Sequence, residues 1–379
     1  MHFPNYRPLR DENVIKDKET SDLNFTIRNE QRDDYEAILR LTYNAFLTLD
    51  YDGRRAIDEH FLISLLRDSI FIVPELCFVA EADGEIIGHI LFSISSIKRP
   101  DGTVTETLTF GPLSVAPKHQ RQGIGAALVQ KSIEAAREIG FGAVIIIGVP
   151  DYYPRLGFTR ASEYNLTLKD GSVTDAFMVY ELDPGYLGMD GGHGVWAPEY
   201  YIAEEDEAGR IAFHRQFMEN YYPGEVMLRP VFDDDVALIE RWLAAQHIAL
   251  WFEHPDHWLT ELAGRRGEFS FVKHFIAERG GIPMGFCQHY DCYDSREHED
   301  WGFTIPAPGK FFSLDYLIGE PDYLRRGYGR EMILRLIGKL PKSGGASIIV
   351  QPDERNTPSN RVLAACGFEL RDGIYWMAL

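Results

Sequence analysis

The chain has 379 residues, with 38 Lys and Arg against 58 Asp and Glu, a formal charge of −20 at neutral pH. That charge repels phosphate and argues against nucleic acid and anionic membrane as partners; an apolar share of 45% with 13% aromatics builds real cores and excludes a disordered chain. Four cysteines are too few for a disulfide scaffold, Met1–Asp22 has no apolar signal region, and the longest apolar run is the short Gly142–Val149 stretch, so a cytoplasmic protein with no membrane span is expected.

In chain order, residues 1–23 read as a tail. A strand over Asn24–Arg28 leads through Asp33 and Asp34 into an amphipathic helix. A hairpin follows, Cys77–Glu81 turning at Asp83–Gly84 into Ile86–Ile94. Leu108–Val115 is a strand, and the glycine-bearing loop after it opens a helix. Ala143–Val149 is a buried strand, and a final helix ends at Gly157–Phe158. Residues 185–225, with Gly188, Gly191, Gly192, Gly194 and the acidic run Glu204–Glu207, read as a linker with one short helix.

The same elements then return. Val226–Arg229 leads through Asp233 and Asp234 into a helix, and Phe275–Glu278 turns at Gly280–Gly281 into Met284–Tyr290. Phe311–Ile318 precedes a second glycine loop and a helix striped by Met332, Ile333, Leu336, Ile337 and Leu340. Ala346–Val350 and a helix ending at Gly367–Phe368 close the unit. Four landmarks, Arg28 and Arg229, Val79 and Ile276, Gly123 and Gly327, Gly157 and Gly367, recur at offsets of 201, 197, 204 and 210. A repeat of that length is too long for a solenoid and means two copies of one domain, over 24–184 and 226–379.

The loop Gln120, Arg121, Gln122, Gly123, Ile124, Gly125 and Ala126, with Arg325, Arg326, Gly327, Tyr328, Gly329 and Arg330 in the second copy, carries a mechanism. Its glycines allow a tight turn, and the helix start offers unpaired N–H donors and a positive dipole end that suit a pyrophosphate. A nicotinamide site is disfavoured, because the loop lies mid-domain and lacks the three-glycine fingerprint.

On these residues both halves resemble the Gcn5-related N-acetyltransferases, whose Gln/Arg-x-x-Gly-x-Gly/Ala signature opens a helix. The first half matches at Gln120, Gly123 and Gly125; the second matches at Gly327 and Gly329 but has Leu324 in the Gln/Arg place. The resemblance covers Asn24 to Leu379 apart from the linker. It implies an α/β (α+β) fold of two tandem domains, each a mixed, mostly antiparallel twisted sheet flanked by helices with a splayed central strand pair. It also implies acetyl-coenzyme A as acyl-donor cosubstrate and no metal. The cofactor gap would fall between Leu113, Ser114, Val115 and Ile145–Gly148, and again between Tyr316, Leu317, Ile318 and Ile348–Val350, with Asn356 in the same set.

The chemistry needs a neutral amine and a proton for the departing thiolate. In the resembling family a Tyr four residues before the closing Gly-Phe serves the thiolate; here that is Tyr153 in the first half, but Leu363 in the second. The second half carries the stronger substrate signature. Leu314–Gly319, Pro321, Tyr323 and Gln351–Asn356 resemble both the aminoglycoside acetyltransferases of the 6′ class and siderophore-type acyltransferases acting on N-hydroxylysine. Trp242–Leu243, His247–Ile248 and Trp251–Phe252 resemble the former, Pro352-Asp353-Glu354-Arg355-Asn356 the latter. The tandem arrangement resembles self-resistance N-acetyltransferases for zwittermicin- and paenilamicin-type amino antibiotics.

Asp315 takes the place where the resembling antibiotic acetyltransferases put a base or amine-orienting carboxylate. A charge inside Phe311–Ile318 is costly unless it serves a ligand or a partner, the alternative being a solvated strand end. Trp251, Glu253, His289, Asp291, Asp294 and Trp301, amid further acidic and aromatic residues that include Glu299 and Tyr290, are expected to line a pocket for a cationic, polyamine-like substrate, or else to form a solvated loop face. Cys287, His289 and Cys292 fall on mixed strand parity and do not make a zinc set. The expected activity is acetylation of a primary amine of a cationic small molecule by the C-terminal half, in a monomer or homodimer. N-hydroxylysine acylation, or acetyl-coenzyme A binding without turnover, are the alternatives.

Overall fold

Runs rich in Val, Ile and Phe between glycine turns form the strands, and a computed structural model describes residues 23–47, 59–252, 254–299, 301–341 and 345–379. They fall into two units, one ending at Phe213 and the other beginning at His214. The first unit runs β1 (Thr26–Asn29), α1 (Tyr35–Phe46), α2 (Glu59–Arg67), β2 (Phe78–Ala82), β3 (Glu85–Lys98), β4 (Val104–Val115), α3 (Ile124–Ile139) and β5 (Ala143–Ile147). Then come β6 (Thr159–Arg160), β7 (Leu166–Thr167), β8 (Phe177–Glu181), β9 (Gly192–Val195), α4 (Pro198–Glu205) and α5 (Glu207–Tyr221), whose last residues belong to the second unit. The second unit continues β10 (Val226–Pro230), α6 (Val236–Leu243), α7 (Gln246–Ala249), α8 (Pro255–Ala263), β11 (Lys273–Arg279), β12 (Ile282–Asp291) and β13 (Phe311–Ile318). It closes with α9 (Tyr328–Ile337), β14 (Ser347–Val350), α10 (Thr357–Cys366), β15 (Glu369–Arg371) and β16 (Ile374–Ala378).

The sheets repeat one order, β1-β2-β3-β4-β5-β8-β6 and β10-β11-β12-β13-β14-β16-β15, with β9 added beside β3 and β7 in the first. Strand parity sorts side chains onto two faces. In the second unit Leu314, Cys287 and Ile348 pack beneath α9 and α10, while Phe286, Leu317 and Ile276 pack beneath α6 and α8. Glycine is required where α3 meets the first sheet: a Cβ on Gly88 would lie 2.9 Å from Ile124 Cγ2 and 3.0 Å from Leu128 Cδ1.

In both copies an Arg–Asp–Glu ion triad ties the first strand to the turn before the first helix; in the second copy its aspartate is Asp235, one residue past the Asp233 and Asp234 named from the sequence. Arg28 donates to Asp34 at 2.7 and 2.9 Å and to Glu81 at 2.9 Å. Arg229 donates to Asp235 at 2.6 and 2.8 Å and to Glu278 at 2.6 Å. In both copies the same Asp also accepts a backbone N–H, from Gln31 or from Phe232. The second copy is buried, with side-chain exposures of 6% for Arg229 and 1% for Glu278, against 33% and 32% for Arg28 and Glu81.

Two expectations change in three dimensions. The segment expected as a linker is folded: β9 pairs with β3 and β7, and two helices follow it, α4 burying Tyr200 and Ala203 in the first unit. The final helix of the first copy is a single 3-10 turn, Tyr153–Leu156, whereas α10 has ten residues. The chain between β5 and Gly157 is much shorter than that between β14 and Gly367, which leaves no room for a longer helix.

Candidate active sites

The two glycine loops have one conformation. Arg121 and Gly123 have φ of +61° and +87°, Arg325 and Gly327 +59° and +87°. Alternating left-handed residues turn successive amide N–H groups to one side, an anion-binding concavity that continues into the first turn of α3 or α9. A Cβ on Gly123 or Gly327 would meet nothing within 4 Å, so backbone conformation alone demands glycine there. Gln120 Nε2 fastens the first loop by donating to Val115 O at 3.1 Å, and Gln122 Nε2 donates to Lys118 O at 3.2 Å. Leu324 in the Gln120 place has no such amide. Arg330 Nε donates to Ala365 O at 3.0 Å, tying α9 to α10.

Beside each loop the central strands part. β4 pairs with β5 at Leu108–Val144 and runs on to Val115; β13 pairs with β14 from Phe311–Ser347 to Ser313–Ile349 and runs on to Ile318. Leu113, Val115, Tyr316 and Ile318 border these gaps on the α3 or α9 side, while Ser114 and Leu317 face the other way. The Ser114 hydroxyl is buried 2.8 Å from that of Thr42, and Leu317 packs with α6. In the first gap Tyr153 is half-buried, its ring 5.7 Å from Phe110 and 5.6 Å from Phe158. The hydroxyl of its neighbour Tyr152 lies 3.1 Å from where a Gly125 Cβ would be. Tyr152 is a residue that sequence reasoning passed over, for only its position in the fold distinguishes it.

On the α6–α8 face of the second sheet, register lines up His274, Gln288 and Asp315 across β11, β12 and β13. Gln288 Nε2 donates to Asp315 Oδ2 at 3.1 Å, and the Gln288 Oε1 is buried without a hydrogen-bond partner. His274 Nε2 lies 2.9 Å from Glu261 Oε1, and Tyr290 donates to Glu299 at 3.0 Å, with Trp301 packed at 6.3 Å from the Tyr290 ring. Burial and the nearby Glu299 and Glu261 carboxylates push the half-buried Asp315 carboxyl up to about 8. Burial also raises Glu299. Glu261 and His274 had no sequence signal; only the docking of α8 and the strand register bring them to Asp315.

Other expected pocket residues go elsewhere. His289 points to the α9 face, stacked on Phe275 at 5.8 Å, and burial pushes it down to about 4. One residue of register separates it from the Gln288–Asp315 face. Asp291 holds the turn after β12, accepting from the backbone N–H of Tyr293 and Gly309. Asp294 is exposed, and burial and Asp291 raise it. Trp251 is half-buried after α7, and Glu253 lies outside the described residues. Asn356 Oδ1 caps α10 by accepting from Ser359 N at 3.2 Å. Among the described residues no group of His, Cys, Asp or Glu could hold a metal ion, and no helix is long and apolar enough to cross a membrane.

Two duplicated sheets, each splayed beside an anion-binding helix start, define a class of acyl-transfer protein. Residues 33–158 match the model of the acetyltransferase (GNAT) family, and residues 231–375 match that of an acetyltransferase (GNAT) domain. The chain belongs to the GNAT N-acetyltransferases and is an acyltransferase built from two such domains. Its relatives include the uncharacterized N-acetyltransferase YhbS of Escherichia coli K12, 29% identical over 131 residues, or 34% of this chain and 76% of that one. YjhQ of the same strain is 35% identical over 98 residues, 26% of this chain and 53% of YjhQ. Among solved structures, Escherichia coli YhbS in complex with CoA is 26% identical with a TM-score of 0.41, covering 48% of this chain and 96% of that one. The aminoglycoside acetyltransferase AAC(6')-Ib in complex with coenzyme A is 23% identical with a TM-score of 0.34, covering 41% and 94%.

Proposed function

We propose that the second unit transfers an acetyl group from acetyl-coenzyme A to a primary amine of a cationic small molecule, an amino antibiotic being the acceptor class to test first. The observation that carries this reading is the row His274–Gln288–Asp315, bordered by Glu261 and Glu299, with Asp315 just past the last β13–β14 pair. Among the described residues of the first unit this row has no counterpart, and β3 there bulges between Ile90 and Phe92. Gly88 pairs with Val115 and Gly285 with Ile318, and counting three residues from each puts Leu91 and Pro112 where Gln288 and Asp315 stand.

The row suits an amine. Converging carboxylates repel one another until a cation enters, so a bound ammonium group favours the ionised form of Asp315. The Gln288 Oε1 offers it a further acceptor. The Asp315 carboxylate then takes a proton from the ammonium and leaves the nitrogen lone pair free to attack the acetyl carbon. The donor's pyrophosphate fits the amide groups of Arg325–Gly329. The same loop geometry in the first unit supports a second cofactor site, with Tyr152 and Tyr153 in its gap.

The test is thiol release from acetyl-coenzyme A across aminoglycosides, spermidine-bearing and zwittermicin-like antibiotics, and N-hydroxylysine. Asp315→Asn is expected to lower turnover at least tenfold, about 1.4 kcal/mol, with coenzyme A affinity kept. Undiminished turnover in that variant refutes the role of Asp315, and a clear preference for N-hydroxylysine moves the acceptor to the siderophore class.

A further inference from the structure

The second unit has Leu363 where the first carries Tyr153, and Leu363 is a fully buried core residue with no proton to give. A hydroxyl nevertheless reaches into its gap from the opposite side. Tyr316, one residue after Asp315, lies past the last β13–β14 pair and points to the α9–α10 face. Its Oη is 2.7 Å from Ser359 Oγ in the first turn of α10. The ring thus links one splayed strand to the helix that follows the other. The first unit arrives at a similar placement by another route. The site of a Gly125 Cβ lies 3.1 Å from Tyr152 Oη and 3.7 Å from Leu113 Cδ2, and Leu113 holds the strand place of Tyr316.

On the reading that the second unit is the catalytic one, we propose that Tyr316, positioned by Ser359, is the acid that protonates the departing thiolate. Adjacent residues of one strand point to opposite faces, so Asp315 serves the amine on one side of the thioester and Tyr316 serves the sulfur on the other. The carbon–sulfur bond breaks with its electron pair going to sulfur, and sulfur takes the phenolic proton. The Ser359 hydroxyl donates to the phenolate oxygen, which recovers a proton from water that has received the one shed by the new amide nitrogen. Burial raises Tyr316 above its ordinary value, so the hydroxyl enters each turnover protonated.

The experiment uses the full chain with Tyr316→Phe, Ser359→Ala and Ser359→Thr, reading kcat, KM for acetyl-coenzyme A, coenzyme A Kd and melting temperature. Tyr316→Phe is expected to lower kcat at least tenfold with Kd within twofold. Ser359→Ala lowers kcat less, and Ser359→Thr, which keeps the hydroxyl, restores it. An unchanged kcat in Tyr316→Phe, or a loss matched by weaker coenzyme A binding and a lower melting temperature, overturns the proposal. Gly327→Glu separates the two readings. If it abolishes turnover that Tyr316→Phe leaves intact, only the acid is wrong. If turnover is indifferent to Gly327→Glu, the second-unit assignment falls, and the acid with it.

Discussion

Replacing Asp315 by Asn should impair the enzyme and stabilise the protein, and the stabilisation should grow with pH. The Asp315 carboxyl is raised from 3.8 to about 8 by burial and by Glu299 and Glu261. Between those two values the unfolded chain has released this proton and the folded chain has kept it, so stability falls as pH rises and levels off above about 8. At pH 7 the cost approaches about 4 kcal/mol, at 1.36 kcal/mol for each unit above the unfolded value. The side chain is only half-buried and keeps part of its hydration, which reduces this to about 2 kcal/mol. Asn carries no such cost. The variant should therefore exceed the parent by about 2 kcal/mol at pH 7 but by about 1 kcal/mol at pH 5, and the second unit should melt about 4–8 °C higher at the upper pH. Scanning calorimetry of the full chain at both pH values measures this. A difference that is flat across the range, or a variant less stable at pH 7, refutes the argument that desolvation and like charge are concentrated on Asp315.

Three further outcomes follow from named contacts. Gly327→Glu places a Cβ residue at φ +87° and a carboxylate in the anion concavity. The backbone strain alone is about 1–2 kcal/mol, and amine-dependent thiol release should be lost, while Gly123→Glu leaves it; the reverse pattern would move catalysis to the first unit. Arg229→Met leaves Asp235 without its cation and Glu278 with His214 as its remaining partner, and should cost about 3–5 kcal/mol in urea unfolding. Arg28→Met, in the half-exposed copy, should cost roughly 1 kcal/mol, and equal losses would contradict the burial difference. Burial alone would raise Glu278, but Arg229 and His214 together outweigh it and hold the carboxyl far below its usual value. The stability this gives is present above pH 4.5 and is lost as pH falls below it, which acid titration of the second unit followed by fluorescence will show.

Much of the fold is written locally. The Arg–Asp pair, the Asp-Gly and Gly-Gly hairpin turns, the period-two strands and the left-handed glycines at 123 and 327 recur in register, because each answers to backbone sterics within a few residues. Duplication itself is legible for the same reason, and with it the position of both anion-binding loops. Asp315 also stood out, as a charge inside an apolar strand. Its surroundings did not. Which residues join it depends on strand register, where a shift of one residue exchanges the faces and sends His289 to the far side while Gln288 and His274 line up with the carboxylate. Glu261 arrives with α8, Ser359 meets Tyr316 across the parted strands, and β9 with α4 turns an apparent linker into part of the first unit. These are contacts between residues distant in the chain, and only the packing of whole elements, not the propensity of any one segment, decides them.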